Sequence, residues 1–359
     1  AIHGKDTEHC KGLPVEQMTG ANALENMTFT SEAGTWVTLA NSEPDENGIS
    51  TFYYPQLSVF VSDPVNPQPG EMPAITGYQM DDGTFVPASP TIITNAAELQ
   101  AINNNLSGVY MLANDIDMTG FTFTPIGSAD TPFTGIFDGN GYEVQNLTID
   151  STSDYQGLFG NVGIDGKVMN VGVTGSITAK DYVGGVASYN YGTITNCYNT
   201  GDISGSQYVG GIASYNYGTI TNCYNTGDVS GSQYVGGVAG DNYSGEILNC
   251  YNIGEVTGSG YYVGGVVGCN FNDVIMNCYY CTDTSGSATG AIHGKDTENC
   301  KGLPAEQMTG ANALENMAFT GDDGTWVTLA NSKSDENGMM NFYFPQLSVF
   351  VSDPANPQP

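Results

Sequence analysis

YVGGVASYNYGTITNCYNTGDISGSQ, residues 182–207, recurs almost letter for letter as YVGGIASYNYGTITNCYNTGDVSGSQ at 208–233, then with drift from Tyr234 and from Tyr262. The YVGG runs begin at Tyr182, Tyr208, Tyr234 and Tyr262, spaced 26, 26 and 28 residues. Each unit offers three short runs rich in β-formers, around YVGGVAS, TITNCYN and DISG. Gly, Asn and Asp lie between them, where corners need unusual φ/ψ. No run is long enough to stand alone, so neighbouring units must stack and pair in parallel. A helical repeat of this length would need apolar stripes of period 3.6, and glycine in nearly every run rules that out. The expectation is an all-β fold, a right-handed parallel β-solenoid (β-helix), its hand following from the crossover rule. At about 4.8 Å per coil, seven or eight coils make a rod about 35 Å long.

Stacking in register sets like residues on like. An Asn-Cys-Tyr unit follows each YVGG, with Asn196, Asn222, Asn249 and Asn277 preceding Cys197, Cys223, Cys250 and Cys278. Upstream, Asn170-Val171 and Asn146-Leu147 occupy the same slot, and YQGLFG at 155–160 takes the YVGG slot, which gives about six recognisable coils. The asparagines should point inward and form a ladder of amides bonded along the axis. A neighbouring slot that accepts Leu, Val or Cys reads as buried and apolar, so the cysteines are core fillers. Burial of two adjacent residues requires a corner or bulge there. A zinc site is the sharper reading, but cysteines 26 to 28 residues apart with no histidine nearby lack its geometry.

A larger repeat encloses the smaller one. Residues 1–69 recur as 291–359, an offset of 290, with 13 differences in 69 positions. The chain therefore reads as one period plus the tail of the period before it. Residues 1–69 are the C-terminal cap of a preceding unit, 70–90 a Pro-rich linker with a possible hairpin about Asp82-Gly83, 91–290 the solenoid, and 291–359 its own cap. Thr94 or Asn95 can cap a short N-terminal helix that turns Ala96, Leu99 and Ile102 to one side. In the C-terminal cap, short helical pieces start near Pro304 and at 311–317, and strands carry Trp326 and several aromatics.

Composition excludes several roles. The 359 residues carry 38 Asp and Glu against 7 Lys and no Arg, a net charge of −31. No basic stripe for nucleic acid can be built from that, and anion recognition by arginine forks is absent. No apolar run approaches the ~20 residues of a membrane span, and AIHGKDTEHC does not look like a signal peptide.

GLFG at 157–160, the YVGGVAG-type runs and the G-x-I-x-N-C-Y-N-x-G-x-V pattern resemble the GLUG-motif repeats of bacterial surface proteins. LANDIDMTG and FDGNGYEVQNLTI look like the entry coils of those proteins, and the 291–359 segment like their usual closure. The resemblance covers roughly 91–359 and implies a right-handed β-helix on a secreted or wall-bound protein, extracellular and at the cell surface, often an adhesin. Some relatives carry a zinc protease that cleaves immunoglobulin. That activity does not carry over, because no H-E-x-x-H occurs and the histidines are only His3, His9 and His293.

No catalytic residue or cofactor is expected. Asp202, Asp228 and Glu255 stack at one corner, but periodicity makes them part of the template, and Asp138 in FDGNG reads as a turn. Asp115 and Asp117 are weak calcium candidates, as are Asp45 and Asp335; acidic turns without metal are commoner. The tyrosine columns 182/208/234/262 and 198/224/251/279 read first as cross-strand ladders and second as sugar platforms. Of the sequons at Asn26, Asn105, Asn146 and Asn242, that of Asn146 should stay unmodified inside the ladder. In an oxidising compartment exposed thiols pair, so Cys281 should bond to Cys300, worth about 3 kcal/mol. Cys10 should bond to a neighbouring copy, with Cys269–Cys281 the rival pairing. The expected role is a structural module of an extracellular fibre whose partners are copies of itself. The alternative is an adhesin that binds glycan or host protein through a solenoid face.

Overall fold

The protein is described from a computed structural model. It covers the backbone of residues 36–37, 50–53, 56–57, 74–79 and 85–87, and residues 90–271, 274–286, 288, 290, 292, 300–318, 325–331, 341 and 343–351. The chain divides into two compact units, 1–90 and 91–359. Cys10, His3, His9, Asn26, Asp45, Asp82-Gly83, His293 and Asp335 lie outside the described residues, and so do the expectations placed on them.

In the first unit Trp36–Val37 pairs antiparallel with Gln56–Leu57. Ser50–Tyr53 pairs antiparallel with Ala74–Gln79, which pairs in turn with Phe85–Pro87. The stretch 70–90, expected as a linker with a possible hairpin, supplies two antiparallel strands, Ala74–Gln79 and Phe85–Pro87, of a three-stranded sheet.

The second unit is a parallel β-solenoid of about six turns. Asn95 caps the opening helix Ala96–Ala101, its side chain accepting from the Glu98 amide, and Leu99 and Ile102 are fully buried. Coil follows coil in strict register: Phe137 sits beside Val168, Val168 beside Ile194, then Ile220, Ile247 and Ile275. Such columns fill the core, because an in-register parallel stack offers each apolar side chain an identical neighbour above and below.

The corners are held by amides. Asn196, Asn222, Asn249 and Asn277 each donate through Nδ2 to the Oδ1 of the residue one coil back, at 3.0–3.3 Å, beginning at Asn170. The ladder exists, but it does not point inward: these residues are half-buried and take left-handed backbone with φ of 51–54°. Asparagine is among the few residues that enter that region at modest cost. The corner lets the next residue turn in, and Cys197, Cys223, Cys250 and Cys278 are completely buried.

Asn146 is not a rung of this ladder. Met169 pairs with Asp138 and Val171 with Tyr142, so residues 139–141 stand opposite Asn170; Asn140, with φ 51°, forms the corner there, and the Asn170 side chain donates to Asp138. Asn146 is exposed and donates to Asp117 instead. The first full coil carries extra residues, which shift the apparent motif. Two further ladders escaped the sequence reading. Asn199, Asn225 and Asn252 are linked at 2.7 Å, and Asn190, Asn216, Asn242 and Asn270 at 2.8–2.9 Å. Apart from Asn270 these are buried, and they close adjacent turns, Asn199 accepting from the Gly201 amide and donating to its carbonyl. The second glycine of YVGG follows from this: a Cβ on Gly185 would meet the Asn199 amide at 2.7 Å.

The C-terminal segment differs from a simple end cap. Strand Cys300–Leu303 pairs in parallel with Cys278–Cys281, so the solenoid continues past the expected boundary at 290. In that register Cys300 stands on Cys278 and extends the core column, while Cys281 stands opposite Leu303. No disulfide joins Cys281 to Cys300 or to Cys269, and all seven described cysteines are buried. A thiol sealed in a dry core needs no bond to escape oxidation.

Beyond Leu303 the chain turns back along the flank. The short helix Gly310–Asn316 and the antiparallel pair Trp326–Val327 and Gln346–Leu347 form a second core over Tyr198, Tyr224, Tyr251 and Tyr279. Trp326 leans on Tyr224 and Tyr251, and Phe350 meets Tyr198 edge-on at 4.6 Å. The Tyr251 hydroxyl donates to the Pro345 carbonyl, and the Tyr279 hydroxyl accepts from the Ala318 amide at 3.0 Å. This tyrosine column is therefore the footing of a lateral clamp and is closed to ligands. The backbone pairing Trp326 to Leu347 matches Trp36 to Leu57, which the 290-residue repeat demands.

Two outcomes follow. Asn222→Ala should destabilise the unit by about 2 kcal/mol, since alanine meets the left-handed penalty and breaks two amide links. Asn222→Gly should lose only about half as much; equal losses in thermal unfolding would contradict the corner argument. The native chain should also give no thiol reaction from Cys197, Cys223, Cys250 and Cys278 by mass spectrometry after alkylation until denaturant is added.

Candidate functional site

The sequence S-Y-N-Y alternates, so in a strand its two tyrosines leave by one side and the asparagine enters the core. The strands Phe159–Val162, Ala187–Asn190, Ala213–Asn216, Ala239–Asn242 and Val267–Asn270 form the five-stranded sheet that does this. Its outer surface and the adjoining edge of the neighbouring four-stranded sheet, which holds Tyr182, Tyr208 and Tyr234, carry three adjoining columns. The first stacks Tyr155, Tyr182, Tyr208, Tyr234 and Tyr262 with ring centroids 4.4–5.0 Å apart. All five have φ of 55–64°. Left-handed tyrosine costs on the order of 1–2 kcal/mol, which the stacked pairs offset. The middle column runs Asn161, Tyr189, Tyr215, Asp241, Cys269 in register. The third runs Tyr191, Tyr217, Tyr243, Phe271, the first two stacked at 4.7 Å and the others edge-on. The sequence reading found the first column and missed the others, although the alternation in SYNY carried the signal.

The panel changes character at its N-terminal end, where Asn161 replaces a tyrosine of the middle column. Rings of Tyr155, Tyr189 and Tyr191 stand around the gap, and the turn at 128–132, tied by the Ser128 amide to the Thr131 carbonyl, walls one side. The result is an open cleft of about 540 Å³ with Asp165 exposed at its mouth. Asn161 is 6% exposed, and its Oδ1 has no hydrogen-bond partner. A buried unpaired acceptor is rare and costly.

Burial holds three phenols of the panel well above the ordinary tyrosine range, Tyr189 and Tyr215 most strongly and Tyr208 next. Burial does the same beneath the clamp for Tyr198, Tyr224 and Tyr251. Cys269, which shares the middle column with Asp241, is pushed up to about 11, first by burial and then by that carboxylate.

The other sequence candidates are engaged locally. Asp115 accepts from the Glu143 amide and the Gln145 side chain, and Asp117 from Thr119 and Asn146. The Thr119 hydroxyl is the main cause that lowers the Asp117 carboxyl below its usual range. Among the described residues, no three His, Cys, Asp or Glu side chains converge as a metal site. Asp202 accepts from the Asp228 amide and Asp228 from the Glu255 amide, so these carboxylates link successive coils. Asp138 accepts from the Asn140 amide and the Asn170 side chain, as a turn residue does. The Asn242 sequon is buried in an amide ladder.

A parallel solenoid of short, glycine-cornered coils with stacked amides and aromatics defines a class of repeat protein. The GLUG motif matches at residues 181–204, 205–230 and 259–279, so three copies of that motif lie within the solenoid. Halomucin of Haloquadratum walsbyi is 32% identical over 220 residues, 54% of this chain and 2% of that protein. A protein of Evansella cellulosilytica, provisionally named a Gly-rich membrane protein, is 37% identical over 121 residues, 30% of this chain and 14% of that one. The chain thus spans a small part of these relatives. Among solved structures, a Bacteroides ovatus protein provisionally called an immunoglobulin A1 protease superposes with a TM-score of 0.54 at 25% identity. That match covers 74% of this chain and 93% of that one.

The tyrosines give the fold a defined alkaline limit. Below about pH 10 the phenols are neutral in folded and unfolded chains alike. Above it the unfolded chain gains by ionising while the buried phenols do not, so stability falls as pH rises, until the folded pKa values are passed. Spectrophotometric titration should show at least six tyrosines, Tyr189, Tyr208, Tyr215, Tyr198, Tyr224 and Tyr251, ionising only with loss of the far-ultraviolet β signal. A single titration step before unfolding would contradict the packing.

Proposed function

We propose that this chain is a non-catalytic structural module of an extracellular, cell-surface fibre, built to be repeated in tandem. The observation that carries the reading is the near-identity of residues 1–69 to 291–359, combined with the role of the second copy as a lateral clamp. Residues 1–69 then serve the solenoid of a preceding period, and the partners of the module are copies of itself. The matched relatives, one a halomucin and one named as a membrane protein, support a surface location. A net charge of −31 keeps such arrays soluble and mutually repelling. The periodic carboxylates serve coil stacking, which leaves them poorly suited to general acid–base work. No described helix is long and apolar enough to cross a membrane.

Deletion of 291–359 tests this reading. The truncated chain should recruit residues 1–69 of another copy onto its bared tyrosine column and form concentration-dependent oligomers by light scattering, whereas the intact chain stays monomeric. A truncated chain that remains a folded monomer would sink the proposal. Electron microscopy of the native fibre should show one bead per 290-residue period.

A further inference from the structure

We infer that the cleft over Asn161 is a binding site for an uncharged saccharide. The outer tyrosine columns are periodic, and periodicity needs no ligand to explain it. The middle column leaves the period at Asp241 and Cys269 as well as at Asn161, and it is beside Asn161 that a cleft opens. Asn161 takes the place of a tyrosine, and the turn at 128–132 closes one side.

Three features select the ligand. The walls are flat aromatic faces, Tyr155 being 41% and Tyr191 37% exposed, and such faces take the C–H surface of a sugar ring. Asn161 lines the floor, and its side-chain oxygen, desolvated and without a partner, calls for a donor. A hydroxyl supplies it, and serves equally if the amide is turned over, since it donates or accepts. The rim adds one carboxylate, Asp165, and among the lining residues there is no cation to neutralise an anionic sugar. Neutral hydroxyls and ring C–H groups satisfy the whole set. The site is separate from the tyrosine column under the clamp, so it stands whether or not the tandem reading holds.

The intact chain is titrated with cellohexaose, mannohexaose and chitohexaose, with oligogalacturonate as an acidic control, by calorimetry and by NMR of the tyrosine rings. At least one neutral hexasaccharide should bind, and the acidic one should not. Asn161→Ala and Tyr191→Ala should each weaken binding about tenfold or more, while Tyr262→Ala, at the far end of the same panel, should change it less than about twofold. Asn161→Ala should also keep or raise the melting temperature, because it removes an unpaired buried acceptor. That combination separates a ligand contact from a structural one. Failure of all three neutral probes at millimolar concentration would overturn the assignment. So would preference for the acidic one, or binding indifferent to both cleft variants. None of these outcomes bears on the oligomers expected of the truncated chain.

Discussion

Everything in the second unit depends on identical residues being able to stand on one another at the spacing of β-strands. A side chain qualifies only if it bonds or packs favourably with its own copy. Asparagine does, because its amide donates on one side and accepts on the other, and an unbroken column leaves only its ends unpaired. Tyrosine does by offset stacking, and cysteine by being small and apolar. Charged residues do so at a Coulombic cost, and where they stack, at Asp202, Asp228 and Glu255, each of the first two carboxylates accepts from the next coil's backbone amide. The low charged fraction of the chain, 13%, is the same constraint seen in composition.

The constraint explains what was legible. Repeat spacing gave the solenoid, the core cysteines and the Asn196 ladder, because a periodic sequence is already a map of the stack. The helix capped at Asn95 was legible for a different reason, its local hydrogen bonding. What failed lay where the period slips. Asn146 was placed one corner too far because the coil over Ile136–Asp150 holds extra residues, and only backbone pairing reveals that Asn140 forms the corner opposite Asn170. The buried amides at Asn190 and Asn199 were hidden by the habit of assigning asparagine to exposed turns. In a solenoid corner the turn itself is internal.

The thiols carry a related lesson. Compartment argued for a disulfide at Cys281 and Cys300, yet register puts Cys300 on Cys278 and leaves Cys281 under the clamp. Pairing and burial are two answers to one chemical hazard, and a column of four apolar slots occupied by cysteine had already indicated which one this fold uses. The cleft was legible only as an exception. Asn161 looks unremarkable in sequence and acquires meaning because the next coils place Tyr189 and Tyr215 above it.

The clamp also constrains inheritance. Units as alike as 182–207 and 208–233 invite unequal recombination, which adds or removes a coil without disturbing any corner or ladder. The clamp, however, is anchored through Ala318 to Tyr279, one layer below the closing strand Cys300–Leu303, and reaches down to Phe350 on Tyr198, a span fixed by its own covalent length. An extra coil would carry Tyr198 out of reach, and a missing one would leave the clamp overhanging the entry coils. It is a ruler laid along the rod. Variation in the length of such proteins should accordingly come in whole periods, each with its own measured solenoid, and seldom in single coils.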